Sequence, residues 1–291
     1  MILVLCGPTS AGKTSVAIEV ARRFDAVVVS ADAMQVYRGM DIGTGKATAE
    51  ERGDSEHFGI DLVEPDEPFD AADFATLCHT VMGEHERVIV AGGTSLYIRA
   101  LIRGLVETPP VDPGFRAELE GYDDLHERLA IVDAALAERL HPNDRVRLIR
   151  GLEVFHFSGK RLSDLQAAHA AEPDRVDAVG LWLDRPDLNE RIDSRVLEMI
   201  EAGYVDEAKG LLEVHDRGLK PLLSLGYRHM CAHILDGLDL DEAIRLTQRD
   251  TRRFARKQRT WMKSLGYPKT EENAVQMAFL AAERAFSAEP R

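Results

Sequence analysis

Ile2-Leu3-Val4-Leu5-Cys6 is an unbroken apolar run, followed by a glycine-rich stretch, Gly7 to Thr14, and by Ser15 to Phe24, whose apolar residues recur at helical spacing. The pattern predicts a buried strand, a loop and a helix. Two more apolar runs are of strand length. Ala26-Val27-Val28-Val29-Ser30 ends at Asp32, and Arg87-Val88-Ile89-Val90-Ala91 ends at Gly92-Gly93-Thr94. Strands alternating with helical patterns predict an α/β fold with a parallel sheet, in which ligands sit beyond the carboxyl ends of the strands. Gly7 to Thr14, Asp32 and Thr94 all fall on that edge.

Further along, Thr108-Pro109-Pro110-Val111-Asp112-Pro113 breaks the pattern and opens a mostly helical region reaching about Pro173, with a turn at His141-Pro142-Asn143-Asp144. Val176 to Leu183 then alternates like a strand returning to the sheet. Helical patterns follow at Leu188 to Ala202, at Val205 to Val214 and, longest of all, from about Leu240 to Leu265, closed by Gly266 and Pro268. The expected organisation is a core of residues 1–110 and 174–291, with residues 111–173 as a helical insertion domain.

Composition adds little to this until charge is mapped. The 291 residues are 45% hydrophobic and carry a formal net charge of −14, which opposes a polyanionic partner at long range. Locally the sign reverses. Arg245, Arg249, Arg252, Arg253, Arg256, Lys257, Arg259 and Lys263 lie in one helical stretch opposed only by Asp250, and many recur at three and four spacing as a stripe. No apolar run approaches the roughly 20 residues of a membrane span, so a cytoplasmic protein with no membrane partner is expected. Cys6, Cys78 and Cys231 are scattered, which points to reduced, buried thiols rather than disulfides or a zinc site. Tyr97, Tyr227, Phe254 and Trp261 are expected in the core, as single aromatics usually are.

The chemistry begins with Gly7-Pro8-Thr9-Ser10-Ala11-Gly12-Lys13-Thr14, which fits G-x-x-x-x-G-K-[ST] between a strand and a helix. Backbone N–H groups and the helix N-terminus would surround a di- or triphosphate, Lys13 would add charge, and Thr14 a hydroxyl for Mg²⁺. Asp32 has three readings: a magnesium partner through water, a base toward an acceptor substrate, or a turn-forming Asp. At the end of the third strand stands Gly92-Gly93-Thr94 rather than the magnesium-organising acid usual in hydrolases of this class. A phosphate group that leaves, rather than one that is transferred, suits that absence.

Several blocks together resemble the tRNA dimethylallyltransferases, also called tRNA isopentenyltransferases: Gly7 to Thr14, the loop Asp32 to Lys46, Gly92 to Tyr97, His141 to Asp144, Arg147 to Phe155, Ser158-Gly159-Lys160, Arg191 to Arg195, Gly226-Tyr227-Arg228, and Arg253 to Trp261. Their order and spacing span nearly the whole chain. The resemblance implies a P-loop NTPase-like parallel sheet flanked by helices, and transfer of a dimethylallyl group from dimethylallyl diphosphate to N6 of the adenosine 3′ of the anticodon. It implies a catalytic set of Asp32, Lys13, Thr9 and Arg228, with Gly7, Pro8, Thr9, Ser10, Ala11, Gly12, Lys13 and Thr14 on the diphosphate and Mg²⁺ at Thr14. Contacts to the tRNA anticodon stem-loop are implied for Asp32, Ala33, Met34, Gln35, Thr94, Arg116, Arg147 and Arg150. The same holds for Ser224, Gly226, Tyr227, Arg228, Arg252, Arg256, Lys257, Gln258, Arg259 and Lys263, in a protein expected to be a monomer.

The chain departs from the family pattern at Ala33, where Ser is usual, at His229, where Gln is usual, and in the order Ser10-Ala11. Three other readings compete. A small-molecule P-loop kinase shares the loop and the acid after the second strand. An enzyme that prenylates free adenine nucleotides would not need Gly226-Tyr227-Arg228 or the basic helix. A non-enzymatic RNA-binding protein would not need Lys13, Thr14 and Asp32.

Overall fold

The computed structural model describes residues 1–287. Runs rich in Val, Ile and Leu form the middle of a parallel sheet, because β-branched and aliphatic side chains pack well on both faces of a buried strand. The strands are β1 (Ile2–Cys6), β2 (Val27–Ala31), β3 (His57–Phe58), β4 (Val88–Gly92), β5 (Ala178–Leu183) and β6 (Lys269–Thr270), in the order β3-β2-β4-β1-β5-β6. Every neighbouring pair is parallel; Val4 lies between Val90 of β4 and Gly180 of β5. The two-residue edge strands β3 and β6 have no counterpart among the apolar runs of the sequence.

Alternate residues of the central strands build two cores. Ile2, Val4, Cys6, Val29 and Val90 face helices Ala71–Glu84 and Ser95–Arg103, meeting Phe74, Cys78, Ile98 and Leu101. Leu3, Leu5, Val28, Ile89 and Leu181 face helices Lys13–Phe24 and Ala274–Ser287, through Val16, Val20, Ala278 and Ala282. Removing one such side chain, as in Leu5→Ala, costs about 2–5 kcal/mol by lost burial and the cavity left behind. A third cluster joins the loop residues Val36, Tyr37 and Met40 to helices Tyr204–Val214, Tyr227–Asp236 and the start of Leu240–Lys263. The three cysteines are free and buried.

Two compact units result, residues 1–104 with 175–291, and residues 105–174. The smaller unit thus begins at Leu105, ahead of the Pro-rich break that suggests Val111. Its helices pack around Leu119, Leu125, Leu129, Leu136, Leu148 and Val154. Within it the fully buried Glu153 accepts from the Asp112 N–H (2.9 Å) and from Arg116 Nε (3.0 Å), and is also bonded by Arg150. No helix among the described residues is long and apolar enough to cross a membrane.

Candidate active site

The glycine-rich loop leaves the C-terminal end of β1 and turns into helix Lys13–Phe24. Gly7 is required by close approach, since a Cβ there would stand 2.3 Å from the Leu183 carbonyl oxygen of β5. Gly12 has φ +84°, a conformation that other residues adopt only with strain. Lys13 folds back so that Nζ donates to the Pro8 carbonyl at 2.8 Å. Burial lowers its ammonium to about 8; Asp32 pulls it back up, and Arg195 pushes it further down. Thr14 stands exposed in the first turn of the helix.

Asp32 follows directly on β2. Its Oδ1 accepts from the Met34 N–H at 2.9 Å, the Asx turn anticipated as one reading, and the other oxygen takes no hydrogen bond from the described residues. Thr94 ties this strand end to the end of β4: its Oγ1 accepts from the Ala33 N–H (3.0 Å) and its N–H donates to the Ala31 carbonyl (3.0 Å). Gln35 is fully engaged. Its Oε1 accepts from Ser30 Oγ at 2.8 Å, and its Nε2 donates to the carbonyls of Thr44 (3.3 Å) and Gly45 (3.4 Å).

Arg195 joins this group, although the sequence reading gave it no role. It lies on helix Leu188–Glu201, whose Leu188 and Ile192 pack with Ala11 of the phosphate loop, and its guanidinium donates to the Gly45 carbonyl at 3.3 Å. Burial lowers the guanidinium, and Asp32 opposes that shift. Lys13, Asp32 and Arg195 therefore act on one another electrostatically at one edge of the sheet. The block Arg191 to Arg195 was visible in the sequence, but only the packing of Ile192 says which arginine points inward.

Gln258 has a different place from the one its neighbours suggested. The basic helix buries Thr251, Ala255, Gln258 and Met262 on one face, so Gln258 is directed into the protein. Its Oε1 accepts from the Thr9 N–H (2.9 Å) and its Nε2 donates to the Gly93 carbonyl (3.1 Å). It clamps the phosphate loop to the end of β4 and is too deeply buried to meet RNA. Tyr227 is likewise in the core, at 1% exposure, where its hydroxyl donates to Glu207 at 2.6 Å. Gly226, with φ +86°, is buried beside the Tyr204 hydroxyl, and the Ser224 hydroxyl is buried with no hydrogen-bond partner among the described residues.

The cations divide into two groups. Arg116 and Arg150 are committed to Glu153, Arg259 to Asp184 at 2.8 Å, and Arg252 to Asp193. Asp184 is fully buried, and burial raises its carboxyl, but bonds from Arg259, the Arg185 N–H and Lys269 together hold it below the usual range. These four arginines neutralise buried or nearby acids, so their charge is shared inside the fold. Arg256, Lys257 and Lys263 are exposed and carry no ion pair among the described residues. Arg147 is also exposed, beside Asp144 at 2.8 Å. Arg228 projects half-exposed from a buried carboxylate, Asp250, which also meets Arg249 (2.8 Å) and His229 (3.1 Å). The Arg249 bond leads, with Arg228 and His229 assisting, in holding Asp250 far below the usual carboxylate range. Phe254 and Trp261 are exposed at 43% and 39% on the basic helix, contrary to the core position expected for single aromatics, whereas Tyr97 is buried.

A parallel sheet with a phosphate loop after its central strand, a carboxylate beyond the next strand and no acid at the end of β4 defines a P-loop-type transferase rather than a hydrolase of that fold. A family model described as IPP transferase matches residues 35–265. The chain is 48% identical to tRNA dimethylallyltransferase 1 of Syntrophotalea carbinolica over 89% of its own length and 87% of the relative. Among solved structures it resembles the tRNA isopentenylpyrophosphate transferase of Bacillus halodurans, with TM-score 0.70, 32% identity and 97% of each chain covered. It also resembles a eukaryotic dimethylallyltransferase acting on tRNA, with TM-score 0.78, 26% identity, 90% of this chain and 69% of that one. The chain belongs to the tRNA dimethylallyltransferase family.

Proposed function

We propose that this protein transfers the dimethylallyl group of dimethylallyl diphosphate to N6 of the adenosine 3′ of the anticodon in tRNA. Besides membership of the family, one observation carries the residue assignment: the carboxylate Asp32 and the cations Lys13 and Arg195 act on one another electrostatically beside the phosphate loop, where the helix of Arg195 packs on Ala11. The reaction forms a C–N bond at the allylic carbon and breaks its C–O bond. The electron pair of that bond leaves with pyrophosphate, and the N6 proton passes to Asp32. The free Asp32 oxygen is suited to accept it, while the unengaged loop N–H groups, Lys13 and the Thr9 hydroxyl stabilise the negative charge that develops on the leaving group.

Mg²⁺ fits the residues present. It binds diphosphates largely through phosphate oxygens and water, so the exposed Thr14 hydroxyl would suffice as the direct protein ligand. When bound it would neutralise part of the leaving group's charge. Among the described residues no cluster of three or more His, Cys, Asp or Glu forms a metal site by itself.

A base stacked in the anticodon loop reaches such a site only by turning inward. Arg256, Lys257, Lys263 and Arg228 would hold the phosphates of that loop, with Arg147 of the smaller unit a further contact, in a monomeric cytoplasmic enzyme. Asp32→Asn tests the mechanism: single-turnover transfer falls about 10² to 10⁴-fold while binding of both substrates persists. Unchanged chemistry with weakened tRNA binding would make Asp32 a positioning residue and the scheme wrong.

A further inference from the structure

The loop Asp41-Ile42-Gly43-Thr44-Gly45-Lys46 has the composition of a second phosphate-binding loop, glycine-rich and ending in lysine. Most of its donors are already taken. Three successive backbone N–H groups, those of Asp41 (2.9 Å), Ile42 (2.6 Å) and Gly43 (3.0 Å), converge on the carboxylate of Glu207 from helix Tyr204–Val214. Tyr227 donates to the same carboxylate at 2.6 Å. Lys46 is equally spoken for, by Asp41 (2.5 Å), Asp61 (2.6 Å) and the Tyr37 carbonyl (3.0 Å). Successive N–H groups turned to one point make an anion-binding concavity, and here a side chain of the protein fills it.

From this geometry we infer that Glu207 is a positioning residue for the acceptor side of the active site. The loop it grips presents the Gly45 carbonyl to both Arg195 and Gln35, and Gln35 in turn accepts from Ser30 Oγ near the end of β2, tying the loop to the strand that carries Asp32. Close packing holds it from the other side: a Cβ on Gly43 would come within 2.2 Å of the Tyr204 ring and 2.6 Å of the Tyr227 ring. The phosphate loop is held separately, by Gln258. Glu207 thus orders the residues around the adenosine and bears on diphosphate binding only indirectly, through Arg195. The role in catalysis rests on the tRNA prenylation proposed above; the anchoring itself does not.

Glu207→Gln keeps size but replaces one acceptor oxygen by a donor that faces either backbone N–H groups or Gly43 and the tyrosine hydroxyl. Amide hydrogen exchange in the peptide spanning residues 41–46 rises at least tenfold, with exchange in β1 and β4 unchanged. In steady state kcat/KM for tRNA falls about tenfold through a raised KM, while KM for dimethylallyl diphosphate stays within twofold of wild type. Glu207→Asp retains both oxygens and restores part of the loss. The effect is also non-additive with Arg195→Ala, because both act through Gly45. Unchanged exchange at 41–46 overturns the inference, and so does a fall in kcat with neither KM altered, the mark of a smaller folded fraction. A wild-type enzyme inactive on tRNA would instead refute the proposed function, and the exchange experiment would still decide whether Glu207 holds the loop.

Discussion

Lys13 offers a quantitative test of the phosphate loop, because its charge is incomplete in the free protein at mildly alkaline pH. Burial lowers the ammonium from 10.5 to about 8, so at pH 8.5 only about one quarter of the molecules carry it. A diphosphate in the loop brings negative charge beside Nζ and favours the ammonium. If binding returns Lys13 to its ordinary range, each site takes up about 0.7 proton at pH 8.5 and about 0.2 at pH 7.5. Titration calorimetry of dimethylallyl diphosphate with Mg²⁺, repeated in two buffers of different ionisation enthalpy, measures that number directly. Without tRNA no transfer complicates the heat. Lys13→Arg is the control, since a guanidinium stays protonated throughout and takes up nothing on binding. Equal uptake by wild type and Lys13→Arg, or none by wild type at pH 8.5, would refute the placement of Lys13 at the diphosphate. Stability shows the same sign. The unfolded chain holds the Lys13 proton more tightly, so the free protein's stability rises with pH between about 8 and 10.5 and is flat in this respect below that window.

Three further outcomes follow from the contacts. Gln258→Ala removes two hydrogen bonds and leaves the Thr9 N–H and Gly93 carbonyl unpaired, lowering unfolding free energy by about 2 to 3 kcal/mol and weakening diphosphate binding; a loss below about 0.5 kcal/mol in denaturant melts would remove the clamp from the account. Changing Arg256, Lys257 and Lys263 together to Ala should flatten the log–log salt dependence of tRNA affinity by about 2, at roughly 0.7 per phosphate contact on a single-stranded loop, and an unchanged slope would place the RNA elsewhere. Burial raises Glu153, but Arg116, the Asp112 N–H and Arg150 outweigh it and hold the carboxyl down to about 2. That depressed value gives stability fully present above the ordinary 4.5 and lost as pH falls toward 2, on the order of 3 kcal/mol, so acid melts of wild type and Glu153→Gln should differ in slope only across that window.

What the sequence disclosed, and what it withheld, follows from the range of the forces involved. The runs at Ile2, Val27 and Val88 are legible because a strand buried on both faces needs an unbroken apolar stretch, Val176 to Leu183 because it alternates, and the phosphate loop because its glycines are fixed by local geometry. His57–Phe58 and Lys269–Thr270 are too short to show any period. Gln258 sits in basic surroundings along the chain, and only the phase of its helix buries it. Likewise Arg252 and Arg259 are indistinguishable in sequence from Arg256 and Lys263. Their partners, Asp193 and Asp184, are brought to them by the fold. Arg195 was hidden for the same reason, its site being assembled from a helix some 180 residues beyond the phosphate loop.

The choice of acceptor tests the account most directly. Purified protein with dimethylallyl diphosphate and Mg²⁺ is offered an anticodon stem-loop carrying adenosine 3′ of the anticodon, the same stem-loop with guanosine there, or AMP, and the products are digested to nucleosides and weighed by mass spectrometry. The account predicts N6-dimethylallyladenosine from the first RNA alone, at a kcat/KM at least a hundredfold above that for AMP. Prenylation of AMP at a comparable rate, or no prenyl transfer to the adenosine stem-loop, would contradict it.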